Sequence, residues 1–474
     1  MSQLKLFGNS RSAARVAGRR KAAEDTTQSV DAPKEQVKKQ KVKKPLKVLA
    51  IWLTVILCLE GLYFFCCYTQ NAFVKKWRTI YIQTAMSTMR HQWMATYLLP
   101  ESVVNDVMQK RAEANESLGD KESSWGKPAE DASSTAEPVK PVQPEVKPID
   151  TTVTEMETET MTPEDEQALA KEAFYELFWE LDQATMEAYV EENPSVLDNG
   201  WENININEAG IEDKGTSIMT TMGEQVLAIN AKEEIMLVRV EGSGYRGILA
   251  IAKDPARLNV ENSSGVGQFG QLTGTIAQAH NGILATTCSG FIDIDNQGNW
   301  GNGNGGLIAG YAMSNGHGYG THYVSNPNFQ YYRLEIHTDN LIYIKKVDRE
   351  VSEDCRDATE FQPPIIIDGE VLKSDYWVEV NPRVCIGQSD KYEMLLLVIE
   401  GRIYTEGILG TDVNECAQIL KRHNAVQAMN VDGGTSAMMW YDGEYVIRGS
   451  NPQTRYTGSR PVPNAFVYHR LEEE

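Results

Sequence analysis

Two kinds of signature are missing from this chain of 474 residues. No Cys-x-x-Cys pair and no His-x-x-x-His spacing occurs, so its seven cysteines and seven histidines mark no transition-metal site. No Walker-type glycine loop occurs either, which removes the commonest nucleotide-phosphate cradle. Large apolar residues are scarce between 111 and 161, where Glu, Ser, Thr, Pro and Val dominate, as in Ala136-Glu137-Pro138-Val139-Lys140-Pro141. Such a stretch cannot bury a core, and its prolines keep it extended. It reads as a spacer between a membrane and a following domain. One charge, Glu60, interrupts the apolar run Val48 to Tyr68, which is long enough to cross a bilayer. The run starts late and no small-residue cleavage site follows it, so it reads as an uncleaved signal anchor.

What is present divides by charge. Residues 1–47 hold 13 lysines and arginines against four acidic residues, although the whole chain has a formal net charge of -21. The run Lys38-Lys39-Gln40-Lys41-Val42-Lys43-Lys44 has no apolar period and reads as disordered. A nucleic-acid arm is one reading, but a basic flank before a membrane span predicts a cytoplasmic N-terminus instead, with the C-terminal bulk outside. No nucleic-acid partner is expected. Residues 69–110 read as a juxtamembrane segment, and Ala85 to Ala95 as an amphipathic helix lying along the membrane surface. Cys288, Cys355, Cys385 and Cys416 lie in the outer part, read as free buried thiols with one disulfide open to them.

A helix is predicted from Thr162, with Thr162 as N-cap and Pro163 at the first position, to near Asn193-Pro194. Ala170, Phe174, Leu177, Phe178 and Leu181 share one face, which packs on the outer domain or on a second copy. From residue 220 to 470 short apolar runs alternate with turn signals. Strands are expected over residues 235–240, 247–252, 283–285, 307–311, 332–336, 342–345, 365–367, 394–399 and 465–468. One helix should carry Phe269, Leu272, Ile276 and Ala279, and another should start near Thr411. This balance predicts an α+β domain around a large mixed sheet, preceded by one transmembrane helix and an acidic linker.

The chemistry concentrates in Asn430-Val431-Asp432-Gly433-Gly434-Thr435-Ser436. Ala428 to Val431 read as a buried strand, and the glycines let the backbone turn at once after Asp432. Met438 to Tyr441 read as the next strand, with a hairpin turn at Asp442-Gly443. A carboxylate is thus placed beside small-residue amides and two hydroxyls able to receive an anion. An ordinary turn in which Asp432 bonds its own loop is the alternative.

Four segments resemble the phosphodiester glycosidase family, whose members include the lysosomal enzyme that uncovers mannose 6-phosphate. They are Gly303-Asn304-Gly305-Gly306, Pro363 to Gly369, Asn381 to Gly387, and Asn430 to Ser436, closed by Arg460-Pro461-Val462-Pro463-Asn464-Ala465-Phe466. They come in the family's order over about half of the chain. The resemblance implies an extracytoplasmic hydrolase acting on a sugar-1-phosphodiester in an envelope glycan or exopolysaccharide, since many bacterial relatives are membrane-anchored. The chemistry of that reaction assigns site roles, with a structural salt bridge the alternative for Arg383 and a surface position beside Pro461 the alternative for Arg460. Asp432 would be the catalytic carboxylate, and Arg383 and Arg460 would hold phosphate through bidentate guanidinium contacts. Asn304 would bond the sugar, and Gly433, Gly434, Thr435 and Ser436 would supply further donors. Thr287 stands where the family carries Asn, which puts specificity or activity in question, and Thr435 replaces a third glycine. A phosphate leaving group has its second pKa near about 6, so a strong general acid is less needed than in ordinary glycosidases.

No cofactor is expected. Asp293-Ile294-Asp295-Asn296-Gln297-Gly298 resembles half a calcium loop, with Asp293 and Asp295 as ligands, but Gln297 and Asn304 stand at positions five and twelve. Two further readings stay open: a domain that binds an anionic wall polymer without cutting it, and a scaffold that forms homo-oligomers or an envelope assembly through residues 162–193 and the membrane helix.

Overall fold

The computed structural model describes residues 44–87, 91–117, 121–125, 162–295, 297–298, 303–320, 332–373, 377–450 and 460–472. Most of the basic tail, and the spacer from 126 to 161, lie outside the described residues. The fold class is α+β. A nine-stranded sheet runs in the order Asn205–Asn207, Val226–Asn230, Ile235–Gly242, Tyr245–Ala252, Met394–Ile399, Arg383–Ser389, Ala425–Val431, Pro364–Ile367 and Glu370–Val371. Every strand pairing among the described residues is antiparallel, so the sheet is not mixed. The reason is connection length. Arg383–Ser389 reaches Met394–Ile399 through a four-residue turn, and helices long enough for parallel crossovers are few.

The central strand Met394–Ile399 is apolar at every position and buried throughout, as expected for a strand covered on both faces. Its alternate residues enter different cores. Leu396 and Val398, with Val384, Ile386, Met429 and Val431, face a core shared with Leu334, Ile336, Ile283, Val260 and Phe466 from two smaller sheets. Leu395 and Leu397, with Cys385 and Ala428, face Val413, Cys416, Ala417 and Leu420 of the helix Val413–Arg422, together with Phe174, Phe178 and Met186. The first smaller sheet holds Tyr332–His337 and Cys355–Phe361. The second is ordered Glu444–Ile447, Met439–Tyr441, Gly282–Thr287, Asn464–His469 and Leu258–Asn262.

Three expectations need correction. The helix predicted over 162–193 is two helices, Pro163–Leu177 and Gln183–Glu192. Thr162 and Asp165 form a reciprocal capping box at the first start, and Asp182 caps the second. Between them Glu180 turns inward to Lys253 at 2.7 Å, and Lys253 also binds Glu393 at 2.7 Å, so a buried ion triad breaks the helix. Phe269 lies outside the helix assigned to it, which covers only Thr273–Ala279. The spacer does not begin at residue 111. The helix Glu101–Ser117 brings Arg111 to Glu379 at 3.0 Å, Ser124 N donates to Asp368, and Trp125 Nε1 donates to the Ile342 carbonyl at 2.8 Å.

All seven cysteines are free. The helix Lys44–Tyr68 contains a 22-residue stretch, Lys47–Tyr68, long and apolar enough to cross a membrane. Arg78 Nη1 donates to the carbonyls of Cys66, Cys67 and Thr69 and so satisfies its C-terminal end. The expected surface helix over 85–95 is replaced by Ala72–Met86 and the short Gln92–Thr96, with residues 88–90 outside the described set. Cys67, Ile82, Ala95, Val103, Val104 and Val107 form their shared core.

Candidate functional site

Strand register places three loops at one edge of the large sheet. Arg383 lies opposite Ile399 on one side, and Val384 lies opposite Val431 on the other. The chain leaving Ile399 toward Arg402 and the chain leaving Val431 toward Asp432 therefore emerge at the same end, flanking Arg383. The second small sheet supplies the opposite wall. There Thr287 ends its strand opposite Ala465, and the Asp432 amide donates to the Cys288 carbonyl at 3.3 Å.

The Asp-Gly-Gly turn owes its shape to crowding. A side chain on Gly433 would meet the Pro382 carbonyl at 2.9 Å, and Gly434 has φ +60. Gly434 N donates to the Pro382 carbonyl and Ser436 N to the Gly433 carbonyl, so these amides hold the turn and do not face a ligand. Asp432 is the chemically unusual member. Its Oδ2 is buried without a hydrogen-bond partner among the described residues. Burial pushes its pKa from 3.8 to about 7. The Ser436 hydrogen bond and the Arg460 charge oppose that rise, and the Asp293 carboxylate adds to it. A carboxylate titrating near neutrality is a general acid or base in waiting.

Arg460 donates to Asp293 Oδ1 at 2.9 Å and lies over the Phe291 ring at 4.7 Å. Asp293 Oδ1 also accepts from Gly303 N at 2.7 Å. The glycines of 303–306 explain themselves here: a Cβ on Gly305 would strike the Pro461 carbonyl, next to Arg460. Asn304 is exposed beside this crossing. Its amide donates to the Gln268 carbonyl at 2.7 Å and its oxygen accepts from Gly306 N at 3.1 Å, so both ends serve the turn. Thr287 is fully buried and its hydroxyl donates to the Ser436 carbonyl. The side chain that replaces Asn thus braces the Asp432 loop. Asp295 Oδ1 accepts from Gln297 N at 2.8 Å, and among the described residues no group of three His, Cys, Asp or Glu could hold a metal ion.

Arg383 sits beneath the Asp432 loop rather than at its surface. It is buried, with Nε donating to the Thr411 carbonyl at 3.2 Å and Nη2 to the Glu379 carbonyl at 2.6 Å. Glu379 Oε1 lies 3.6 Å from Arg383 and 3.0 Å from Arg111. The guanidinium that reaches the loop is Arg402. Its Nη2 donates to Asn381 Oδ1 at 2.9 Å and its Nη1 to Thr435 Oγ1 at 3.3 Å. Both partners are neutral, and no carboxylate pairs with Arg402 among the described residues. Burial and the nearby Arg383 charge hold its pKa below the usual arginine value. Because Thr435 Oγ1 accepts from Arg402, its own proton is available to another acceptor. Arg402 adopts φ +61, uncommon for a residue with a side chain. The only sequence signal for it was a basic residue after Glu400-Gly401 at the end of an apolar strand.

The structure thus gathers Asp432, Ser436, Thr287, Arg460 and Asp293 in one cluster, with Thr435, Gly434 and Arg402 adjoining it. Cys288 is no nucleophile: burial pushes its thiol up to about 12.

No curated protein matches the chain. Among solved structures, it is similar to the zebrafish N-acetylglucosamine-1-phosphodiester alpha-N-acetylglucosaminidase catalytic domain auto-inhibited by its pro-peptide. That match has 18% identity and TM-score 0.39, covering 50% of this chain and 82% of that one. A hypothetical protein from Synechocystis matches at 14% identity and TM-score 0.34, covering 52% of this chain and 63% of that one. A protein from Burkholderia pseudomallei described as exported matches at 12% identity and TM-score 0.34, covering 48% and 74%. Residues 281–469, which hold Asp432, Arg402, Thr287 and Arg460, match the family model for phosphodiester glycosidase.

Proposed function

We propose that this protein is a membrane-anchored phosphodiester glycosidase that hydrolyses a sugar-1-phosphodiester of the cell envelope. The observation that carries the reading is the pairing of a buried Asp432 oxygen that meets no donor with a guanidinium that meets no carboxylate, both among the described residues. Arg402 and the Thr435 hydroxyl take the phosphate oxygens. Arg460, already held by Asp293, sets the charge around Asp432. In the step, a water oxygen bonds to the anomeric carbon while the bond from that carbon to the phosphate oxygen breaks. The electron pair leaves with the phosphate monoester, and the water proton passes to Asp432 Oδ2. A carboxylate with a pKa near 7 is a stronger base than an ordinary Asp, which suits this role. Phosphate needs little protonation to leave, so one carboxylate suffices where ordinary glycosidases use two. Orientation with the domain outside the cytoplasm follows from the basic flank of the apolar helix.

The test is release of free sugar from a panel of hexose- and N-acetylhexosamine-1-phosphodiesters, with Asp432→Asn as the control. Release that vanishes in the control supports the reading. Binding of the same panel without release by the wild type would assign the site to recognition alone.

A further inference from the structure

Arg402 keeps one orientation only if its partner amide cannot flip. Asn381 Oδ1 accepts from Arg402 Nη2 at 2.9 Å, while Asn381 Nδ2 donates to Ser87 Oγ at 2.9 Å. The Ser87 hydroxyl gives its own proton to the Thr84 carbonyl at 2.9 Å, so toward Asn381 this oxygen can only accept. A guanidinium can only donate. The two ends of the amide therefore face partners of opposite demand, and a single orientation satisfies both. The Asn381 backbone is fixed separately, because its N–H and carbonyl exchange hydrogen bonds with Thr411 at 3.1 and 3.0 Å. Ser87 lies far outside the span that matches the family model. It is the C-cap of the helix Ala72–Met86, whose Gln83 Oε1 and Thr84 Oγ1 accept from Val378 N and Val380 N at 3.2 Å each. Amides two residues apart in an extended chain point the same way, which is why neighbouring side chains of one helix can take both. From the helix Glu101–Ser117, Arg111 reaches Glu379 at 3.0 Å and lies 3.8 Å from the centre of the Trp377 ring. The whole run from Trp377 to Asn381 is thus clamped by residues 72–117.

We infer that Ser87 and Asn381 are positioning residues for the Arg402 guanidinium, and that the helical segment 72–117 completes the phosphate side of the site. The inference rests on the reading in which Arg402 takes the phosphate of a glycosyl phosphodiester. The choice of an amide at 381 has a chemical reason. A carboxylate there would hold Arg402 more firmly but would also neutralise it and compete with phosphate. A neutral amide aims the guanidinium and leaves its charge for the substrate. An amide has two interchangeable-looking ends, however, and needs a third group to fix which one faces the guanidinium. Ser87 is that group.

The experiment uses the full-length chain in detergent. It measures kcat and KM across the hexose- and N-acetylhexosamine-1-phosphodiester panel, and the Kd of inorganic phosphate by calorimetry. In Ser87→Ala both KM and the phosphate Kd should rise about tenfold, while kcat stays within about twofold and the midpoint of the pH profile does not move. Ser87→Thr, which keeps the hydroxyl, should restore both values. Asn381→Asp, which hands Arg402 a carboxylate, should weaken phosphate binding more than Ser87→Ala does, with the melting temperature maintained by the new ion pair. An unchanged KM and phosphate Kd in Ser87→Ala, a threonine variant no better than alanine, or an Asn381→Asp variant that binds phosphate as the wild type does, each overturns the positioning role and leaves the glycosidase reading standing. A wild type that cleaves no ester, but whose phosphate binding responds to the variants as expected, sinks the glycosidase reading and supports the positioning role. A folded wild type that binds no phosphate and cleaves no ester sinks both.

Discussion

Replacing Asp432 by Asn separates what the carboxylate does for chemistry from what it costs the fold. The folded chain holds the Asp432 proton up to a pH of about 7, because burial raises its pKa from 3.8. An unfolded chain releases it near the ordinary aspartate pKa of about 3.9. Stability is therefore undiminished below about pH 4, declines as the pH rises from there to about 7, and stays low above that. The difference between the two pKa values converts to about 4 kcal/mol at about 1.4 kcal/mol each. Asn is neutral at every pH and its oxygen still accepts from Ser436, so the variant escapes this loss. At roughly 2 °C per kcal/mol for a domain of this size, Asp432→Asn should melt on the order of 5–8 °C above the wild type at pH 8. The gap should close toward pH 4. The assay is a pair of melting curves across that range, beside a pH profile of kcat/KM in the wild type. That profile should rise through a pH of about 7 as the base form appears, and the variant should show no turnover. A melting difference that does not change with pH, or a variant less stable at pH 8, would refute the assignment of a strained, protonatable Asp432.

Three further outcomes follow from the same geometry. Arg402→Gln should lower kcat/KM about 100-fold, the effect of losing roughly 2–3 kcal/mol of charge-assisted contact, without lowering the melting temperature, since no carboxylate is orphaned. Thr287→Val should destabilise by about 1–3 kcal/mol in denaturant titrations because the buried Ser436 carbonyl loses its donor, whereas Thr287→Ser should restore most of that loss. Lys253→Met should cost about 3–5 kcal/mol at neutral pH, leaving Glu180 and Glu393 buried without their cation, and the cost should shrink as the pH falls and those carboxylates take up protons.

Much of the scaffold was legible because its signals are local. Met394–Ile399 is one uninterrupted apolar run, and Ala425–Val431 ends at an Asp-Gly-Gly turn, so the strands and the site's central loop could be placed from spacing alone. Thr162 and Pro163 announced a helix start that the capping box bears out. Features that depend on pairing across the fold were not legible. The break after Leu177 is set by Lys253, which lies 73 residues beyond its partner Glu180. The docking of Arg111, Ser124 and Trp125 depends on Glu379, Asp368 and Ile342, which periodicity cannot connect to them. Arg402 was missed for the same reason. Charge alone did not distinguish it from Arg383, and only the register of the strand between them shows which guanidinium is tied down.

That distinction is the argument for a site. Elsewhere this fold compensates its buried charges carefully: Lys253 lies between two glutamates, Arg333 bonds Glu335, Arg257 bonds Glu233, and His423 bonds Glu224. Such pairing is what keeps desolvated charge tolerable. At the rim of the large sheet the rule lapses in both signs on two adjoining loops. Among the described residues, Asp432 keeps a buried oxygen without a donor, and Arg402 keeps a guanidinium without an acid. Direct pairing of the two would relieve both, yet Thr435 and Asn381 hold the guanidinium while Ser436 and Arg460 address the carboxylate. A fold that maintains this separation at a cost of several kcal/mol reserves room between the two charges for a ligand with complementary parts. A phosphodiester of a sugar has them: an anion for Arg402, and an anomeric carbon that needs a base.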